Sequence, residues 1–393
     1  MYKLLYVLII MLFAFCESQN DRSPIHSGDA VNTNPVYEKY CASCHGAKLQ
    51  KFRNNDWSES YTNTELKQII AEGMPNKGMP AFGSVIAEED LSELIDFIKN
   101  YDFSDSEASI PEQAKDYEIE VMADGLGVPW GMAFLPNGDM LIAEREGKLK
   151  RLDAEGELHS IEGLPAVRAR GQGGLMDLRL HPDYERNGWL YISYSYIDER
   201  DSRAGNTAII RAQLEGDRLT QIEQIYRGIP AVRTNHHFGS RMAFDDEAYL
   251  WFTNGDRGRR DEFPQKLDNS NGKIHRLHDD GRVPDDNPFV GREDAVPSIY
   301  SYGHRNPQGI AIHPVTGEVW AHEHGPRGGD EINIIEKGGN YGWPVISYGI
   351  NYNGTRFTDL TEKEGMLQPV HYYDPSIAPC GMAYVHGGLY PAG

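Results

Sequence analysis

Cys41, Cys44 and His45 stand in the spacing C-x-x-C-H, within Pro35-Val36-Tyr37-Glu38-Lys39-Tyr40-Cys41-Ala42-Ser43-Cys44-His45. That spacing attaches a c-type haem: two thiols add to the porphyrin vinyl groups and the adjacent imidazole reaches the iron. A redox dithiol beside an incidental histidine is the competing reading. A later stretch favours haem, because an electron-transfer iron takes a sixth, soft ligand and a methionine thioether raises its potential. Gly73-Met74-Pro75-Asn76-Lys77-Gly78-Met79-Pro80-Ala81-Phe82-Gly83 offers Met74 and Met79, each kept extended by the proline after it. A second set of chemistry-bearing residues lies much later. Ser301 to Pro344 reads SYGHRNPQGIAIHPVTGEVWAHEHGPRGGDEINIIEKGGNYGWP. Its first loop carries Arg305, Asn306 and Gln308, and its second runs from Glu323 to Glu331. Loops so rich in Gly, Pro and charge place polar side chains and bare carbonyls rather than a core.

The elements that position these residues change character along the chain. Leu91, Leu94, Ile95 and Ile98 have helical spacing, and Glu65–Ala71 predicts a shorter helix before the methionine loop. From Tyr117 the period becomes that of strands. Four hairpin patterns recur: WGMAFLPNGDMLIAERE from 130, GGLMDLRLHPDYERNGWLYISYS from 173, SRMAFDDEAYLWFTNGD from 240 and PQGIAIHPVTGEVWAHEHG from 307. In the last, Gly309–His313 and Glu318–Ala321 are the predicted strands around a Pro314-Val315-Thr316-Gly317 turn. A β-sandwich is one outcome. Four similar hairpins argue instead for radial repetition, with blades of about 40–50 residues before insertions.

The bounds agree with a multidomain globular chain. It has 393 residues, 39% hydrophobic and 25% charged, with a formal charge of −21. So acidic a surface repels phosphate backbones, which excludes nucleic acid as the natural partner. Its 41 Gly and 22 Pro favour many short strands. The four cysteines, Cys16, Cys41, Cys44 and Cys380, form no disulfide framework. Cys380, in Pro375-Ser376-Ile377-Ala378-Pro379-Cys380-Gly381, reads as a small residue packed in a loop.

Residues 1–16 read as an export signal: Lys3 gives a positive start and Leu4–Phe15 an apolar run too short to span a bilayer. A short membrane anchor is the alternative. Cys16 after Phe13-Ala14-Phe15 loosely resembles a bacterial lipoprotein cleavage site, although Phe15 is large where a small residue belongs. The expectation is export, to the periplasm or to a lipid-anchored position facing it. Residues 17–34 form a polar tether, and 102–116 an acidic linker with too little apolar content to fold alone.

Residues 35–101, in the order helix, C-x-x-C-H, helix, methionine loop, helix, resemble a small monohaem cytochrome c. That resemblance makes His45 and Met79 the iron ligands, since Met79-Pro80-Ala81-Phe82-Gly83 leads into a helix; Met74 stays the competitor. The segments GHRNPQG at 303–309, EHGPRGGDEIN at 323–333 and GGNYGWP at 338–344 closely resemble the sugar dehydrogenases of the glucose/sorbosone type that use pyrroloquinoline quinone (PQQ). The resemblance implies a six-bladed all-β propeller over 117–393 behind a small all-α cytochrome c domain, with haem c, PQQ and calcium as cofactors.

The same resemblance assigns roles. His237-Phe238-Gly239-Ser240-Arg241 matches the segment of the catalytic histidine, with His236 adjacent and not excluded. A histidine suits proton removal from a sugar hydroxyl because its ordinary pKa lies near operating pH. Arg305 matches the arginine facing the quinone carbonyls, and Asn306 is a second donor beside it. Gln172, in Gly171-Gln172-Gly173-Gly174, matches a glutamine at the mouth of the site, where the glycines would let backbone approach a ligand. The Gly325 and Pro326 carbonyls match those holding calcium on PQQ; Glu331 and the Tyr341 carbonyl match a second, structural calcium, supported by Asp330. Related enzymes continue past the position of Gly393 with a last blade and basic residues for the PQQ carboxylates, so the expectation is a C-terminally incomplete propeller. The implied activity is oxidation of an aldose sugar at PQQ, with electrons passed to the haem and on to a respiratory carrier. Oxidation of sorbosone or a non-sugar alcohol, or a non-catalytic propeller binding carbohydrate or protein, are the alternatives. His237, Arg305 and Gly325-Pro326 together in one chain speak against the last.

Overall fold

A computed structural model of the chain describes residues 34–45, 49, 61–74, 79, 81–101 and 120–384, without the side chains of residues 43 and 44. The expected export signal, Cys16, the tether up to residue 33 and all of the linker fall outside these residues. Among the described residues no helix is long and apolar enough to cross a membrane.

The first part is helical. Helix α1 (Pro35–Tyr40) starts where the Asn34 side chain accepts the Val36 and Tyr37 N–H groups at 3.0 Å each. Helix α2 (Ala42–His45) follows directly. Helix α3 (Asn63–Glu72) opens on a capping box between Thr62 and Glu65, as the sequence periodicity predicted within a residue or two. Helix α4 (Glu88–Lys99) has three acids in its first turn and Lys99 in its last, charges that suit its dipole. Its Leu91, Leu94 and Ile95 are buried with Tyr37, Leu49, Ile70, Phe82 and Ile86. Between α3 and α4, Met74 and Met79 pair backbone to backbone, with N–H to O distances of 2.8 and 3.1 Å.

The second part consists of four-stranded antiparallel sheets, each in sequence order. Blade one holds β1 to β4: Pro129–Phe134, Met140–Glu144, Lys148–Leu152 and Leu158–Ile161. Blade two holds β5 to β8: Leu175–Leu180, Trp189–Ser195, Thr207–Glu215 and Arg218–Arg227, with a short helix α5 (Tyr184–Asn187) between β5 and β6. Blade three holds β9 to β12: Met242–Phe244, Leu250–Asn254, Lys273–Leu277 and Ile299–Tyr302. Blade four holds β13 to β16: Pro307–Ile312, Val319–Glu323, Asp330–Ile334 and His371–Tyr373. The first strand of each blade packs on the blade before it: β5 on β1 and β2, β9 on β5, and β13 on β9 and β10. This is a β-propeller, with four blades among the described residues. Each of the four hairpins read from the sequence is the inner strand pair of one blade. Strand β14 runs on to Glu323, past the predicted end at Ala321, and so brings His322 and Glu323 into the sheet, both buried.

Apolar residues between consecutive blades hold the fan together. Leu141, Ala143, Leu175, Leu190 and Ile192 join blades one and two; Tyr191, Ile209, Met242 and Phe252 join two and three; Trp251, Ile274, Ile310 and Ala321 join three and four. Each Leu, Ile, Met or Phe among them contributes about 1.5–3 kcal/mol by leaving water. The inner strands approach so closely that a Cβ on Gly131 would sit 2.3 Å from the Met176 carbonyl oxygen. Arg241, just before β9, reaches each of the other three described blades. Its Nε donates to the Gln308 carbonyl at 3.0 Å, Nη1 reaches the Trp130 carbonyl at 3.4 Å and Asp177 at 3.5 Å, and the guanidinium lies 3.9 Å over the Trp130 ring.

Candidate active site

Gln172, His237 and Arg305 each lie a few residues before the first strand of a blade, β5, β9 and β13 respectively. Asp256 and His324 lie just after the second strands β10 and β14. In an antiparallel blade the start of the first strand and the end of the second share an end. The sheets therefore collect all five residues on one rim.

His237 has a left-handed backbone, φ 57°, unusual for a non-glycine residue. Its N–H donates to Gln172 Oε1 at 2.7 Å, and its ring Nδ1 stands 2.7 Å from Asp256 Oδ1. Asp256 is buried. It also accepts from Trp343 Nε1 at 2.8 Å and from the Gly258 N–H at 2.6 Å. Burial opposes its ionisation, but His237, Arg305 and the Gly258 N–H together hold its carboxyl below the usual range. A carboxylate only accepts, so it selects the Nδ1–H tautomer and leaves Nε2 as the basic atom. Burial and then the Arg305 guanidinium push His237 down to about 4, against the pull of Asp256. The imidazole is thus neutral at pH 7 and able to take a proton. His236 packs edge-on to it, with ring centroids 4.7 Å apart, and among the described residues its ring has no carboxylate partner. The partner, not the sequence, separates the two histidines. Asp256 went unread in the sequence, although it ends the third hairpin segment on the rim that carries the histidine.

Arg305 is buried and its guanidinium is aimed. Nη1 donates to the His324 carbonyl at 2.9 Å and Nη2 reaches the Tyr352 hydroxyl at 3.4 Å, while its N–H donates to Glu323 at 2.6 Å. It lines a cleft with Glu323, Gly325, Glu331, Tyr341 and Trp343. Asn306, expected as a second donor, is buried, and its Oδ1 accepts from the Gly239 N–H and from Gln308 Nε2, both at 3.2 Å. Its amide oxygen therefore braces the histidine loop. The glycines around Gln172 also act differently from expectation. A Cβ on Gly171 would fall 2.3 Å from the Asn235 carbonyl, on Gly173 2.6 Å from Phe238, and on Gly174 1.8 Å from the Arg145 carbonyl. The close approach is to the protein's own chain, which seats the histidine loop.

The cleft has surplus negative charge. Burial and the neighbouring Glu323 push the Glu331 carboxyl above the usual carboxylate range. Asn333 Nδ2 donates to Glu331 at 3.3 Å and to Glu323 at 3.4 Å, and its buried Oδ1 has no partner. Two crowded acids and an unsatisfied amide oxygen are a donor set that fits a hard cation. Among the described residues no three His, Cys, Asp or Glu side chains are grouped to hold a metal, so a cation here would also draw on carbonyls. The Tyr341 hydroxyl is engaged with the Ile334 carbonyl at 2.5 Å and the Glu336 N–H at 2.8 Å, which leaves its carbonyl for that role. Pro326 does not line the cleft; its ring is against Gly349. Asp330 is a strut: one oxygen accepts the Gly325 N–H at 2.9 Å and the other accepts Ser376 Oγ and the N–H groups of Ile377 and Ala378 at 2.6–2.8 Å. Cys380, expected to be packed, is exposed.

In the helical part, Cys41 and Met79 pack against the same apolar cluster, of which Met74 is not a member. His45 closes α2, and the Cys44 side chain lies outside the described residues.

Residues 126–392 match the model of "Glucose / Sorbosone dehydrogenase", and residues 29–98 match "Cytochrome C oxidase, cbb3-type, subunit III". The chain is 43% identical over 279 residues to the aldose sugar dehydrogenase YliI of Escherichia coli K12, covering 70% of this chain and 74% of that one. The apo crystal structure of the soluble aldose sugar dehydrogenase from Escherichia coli aligns with TM-score 0.67 at 41% identity, over 69% of this chain and 79% of that one. The PQQ-bound aldose sugar dehydrogenase of Streptomyces coelicolor aligns with TM-score 0.57 at 32% identity, over 68% and 74%.

Proposed function

The chain belongs to the glucose/sorbosone dehydrogenase family and carries a cytochrome c-type domain ahead of it, and on that premise we propose that it oxidises an aldose sugar with PQQ and passes the electrons to its own haem. The observation that carries this reading is the His237–Asp256 pair on one rim with the buried Arg305. The relatives' aldose activity and the PQQ-bound neighbour support the substrate class and the cofactor. The proposed propeller is six-bladed, and the protein acts outside the cytoplasm, where a respiratory carrier takes the electrons onward.

The crowded Glu323 and Glu331 with the open Asn333 Oδ1, beside the buried Arg305, support a hard cation and an electron-accepting carbonyl group here. Arg305 would face the quinone carbonyls. The Gly325 carbonyl, on the cleft wall, would hold calcium against it, and Glu331 and the Tyr341 carbonyl a second calcium. Bound PQQ supplies a two-electron acceptor for the sugar's hydride, and calcium supplies a Lewis acid for its carbonyl. The protein's own residues do the rest. His237 Nε2 accepts the proton of the anomeric hydroxyl. Asp256 keeps Nδ1 protonated and steadies the imidazolium that forms. Gln172 and Asn306 fix the loop on which His237 stands. Trp343 and Gly258 fix Asp256 in turn. In the first domain Cys41 and Cys44 would tether the haem, with His45 and Met79 on the iron. The shared packing of Cys41 and Met79 favours Met79 over Met74.

The test is reconstitution of the protein with PQQ and calcium, followed by PQQ titration and an aldose panel read at the haem band. Saturable PQQ binding with reduction by aldoses supports the proposal. Binding with reduction by sorbosone or simple alcohols alone reassigns the substrate, and no binding removes PQQ.

A further inference from the structure

Arg168 and Arg257 are two buried arginines outside the catalytic set, and they grip one short segment. Arg168 is 5% exposed and Arg257 0%. Arg168 Nη2 donates to the Arg203 carbonyl at 2.5 Å and to Asn235 Oδ1 at 2.8 Å, and reaches the Arg233 carbonyl at 3.5 Å. Arg257 donates through Nε to the His236 carbonyl at 3.2 Å and through Nη2 to the Thr234 carbonyl at 2.7 Å, with its guanidinium 3.4 Å over the Phe238 ring. The partners of both are neutral. Among the described residues neither arginine has a carboxylate within ion-pair distance, and Asp256, next in the chain to Arg257, turns its carboxylate to His237. Arg168 Nε and Nη1, Arg257 Nη1 and the Thr234 hydroxyl are all buried and unpartnered.

A buried guanidinium is stable only when paired and fully hydrogen-bonded, and two close together raise the cost further. Burial and then the nearby Arg168 push Arg257 down to about 9, a measure of how unfavourably the pair sits. Asp201 and Asp256 act on Arg168 and Arg257 only from beyond ion-pair distance, so water at the open N–H groups would leave both charges only partly offset. We propose that Arg168, Arg257 and the Thr234 hydroxyl form a buried binding site for a small monovalent anion of the halide class, behind the segment that carries His236 and His237. The three open guanidinium nitrogens and the hydroxyl supply its hydrogen bonds, and its charge offsets the two guanidinia. Enclosure by neutral carbonyls and Phe238 favours a small ion over phosphate or a carboxylate ligand. The site is separate from the cleft lined by Arg305 and does not depend on PQQ or haem.

Bromide is the probe. Crystals of the full chain grown in bromide should show an anomalous peak within hydrogen-bond reach of Arg168 Nη1, Arg257 Nη1 and Thr234 Oγ1. In solution, replacing gluconate by chloride at constant ionic strength should raise the melting temperature saturably by about 5 °C. Arg168→Gln should abolish that saturable part. Should Arg168→Gln fail to fold, Thr234→Val gives the milder test, with a weaker apparent affinity for chloride. No anomalous peak, with ordered water at the open donors and an identical chloride response in protein and variants, overturns the proposal.

Discussion

At the scale of single residues, the proposed chemistry turns on a neutral imidazole beside a buried carboxylate. His237→Ala removes the base, which should slow sugar oxidation by about 10²–10⁴-fold while PQQ still binds. Stopped-flow at the quinone band measures that step, and an unchanged rate would transfer the role to His236. Asp256→Asn should slow the same step by about 10²-fold or more, because an amide no longer selects the Nδ1–H tautomer. The pH profile separates the two effects. With His237 held down to about 4, kcat/KM for the sugar should be level from about pH 8 to pH 5 and fall below about pH 4. Removing the Asp256 charge takes away what pulls the histidine up, so the acid limb of Asp256→Asn should lie lower still. An acid limb near 6.5 in the parent would show that burial does not control this group.

At the scale of elements, the sequence was legible where a pattern is local. Period-two hairpins around turns such as Asn137-Gly138 and Thr316-Gly317 announced the inner strands of all four blades. The helical spacing of Leu91, Leu94 and Ile95 announced α4. Contacts made across blades left no such trace. Asp256 lies 19 residues from His237, and Trp343 a further 87 from Asp256, so no spacing rule joins them. In the sequence Arg241 is only the end of a five-residue match, yet its partners Trp130, Asp177 and Gln308 come from three other blades. Arg241→Ala leaves the buried Asp177 with less compensation at the centre of the fan, and should cost about 3 kcal/mol of stability, readable in a urea titration. A change within about 0.5 kcal/mol, that of an ordinary surface substitution, would deny it the role of a hub. In the helical part, Met79→Ala should lower the haem potential and leave the haem attached. If Met74→Ala alone does so, the ligand is Met74.

At the scale of the whole molecule, several histidines are buried in the neutral form. Burial holds His236, His237, His275, His322 and His324 below the ordinary value, His275 down to about 3. The unfolded chain takes up their protons first as pH falls. Stability present above about pH 6.5 is therefore lost progressively towards pH 4, with a melting temperature lower by roughly 10 °C. Calorimetry across that window checks it, and a flat profile would contradict the burial of these rings. The proposed electron path has a kinetic consequence, since covalent fusion would keep the haem, as first acceptor, at high effective concentration. The most direct test of the central claim follows from it. Full-length protein reconstituted with PQQ and calcium is mixed with an aldose in a stopped-flow instrument, and absorbance is followed at the haem α-band. The account predicts haem reduction that follows quinone reduction, at a rate independent of protein concentration. A haem that stays oxidised while the quinone is reduced, or a rate that rises in proportion to protein concentration, would contradict it.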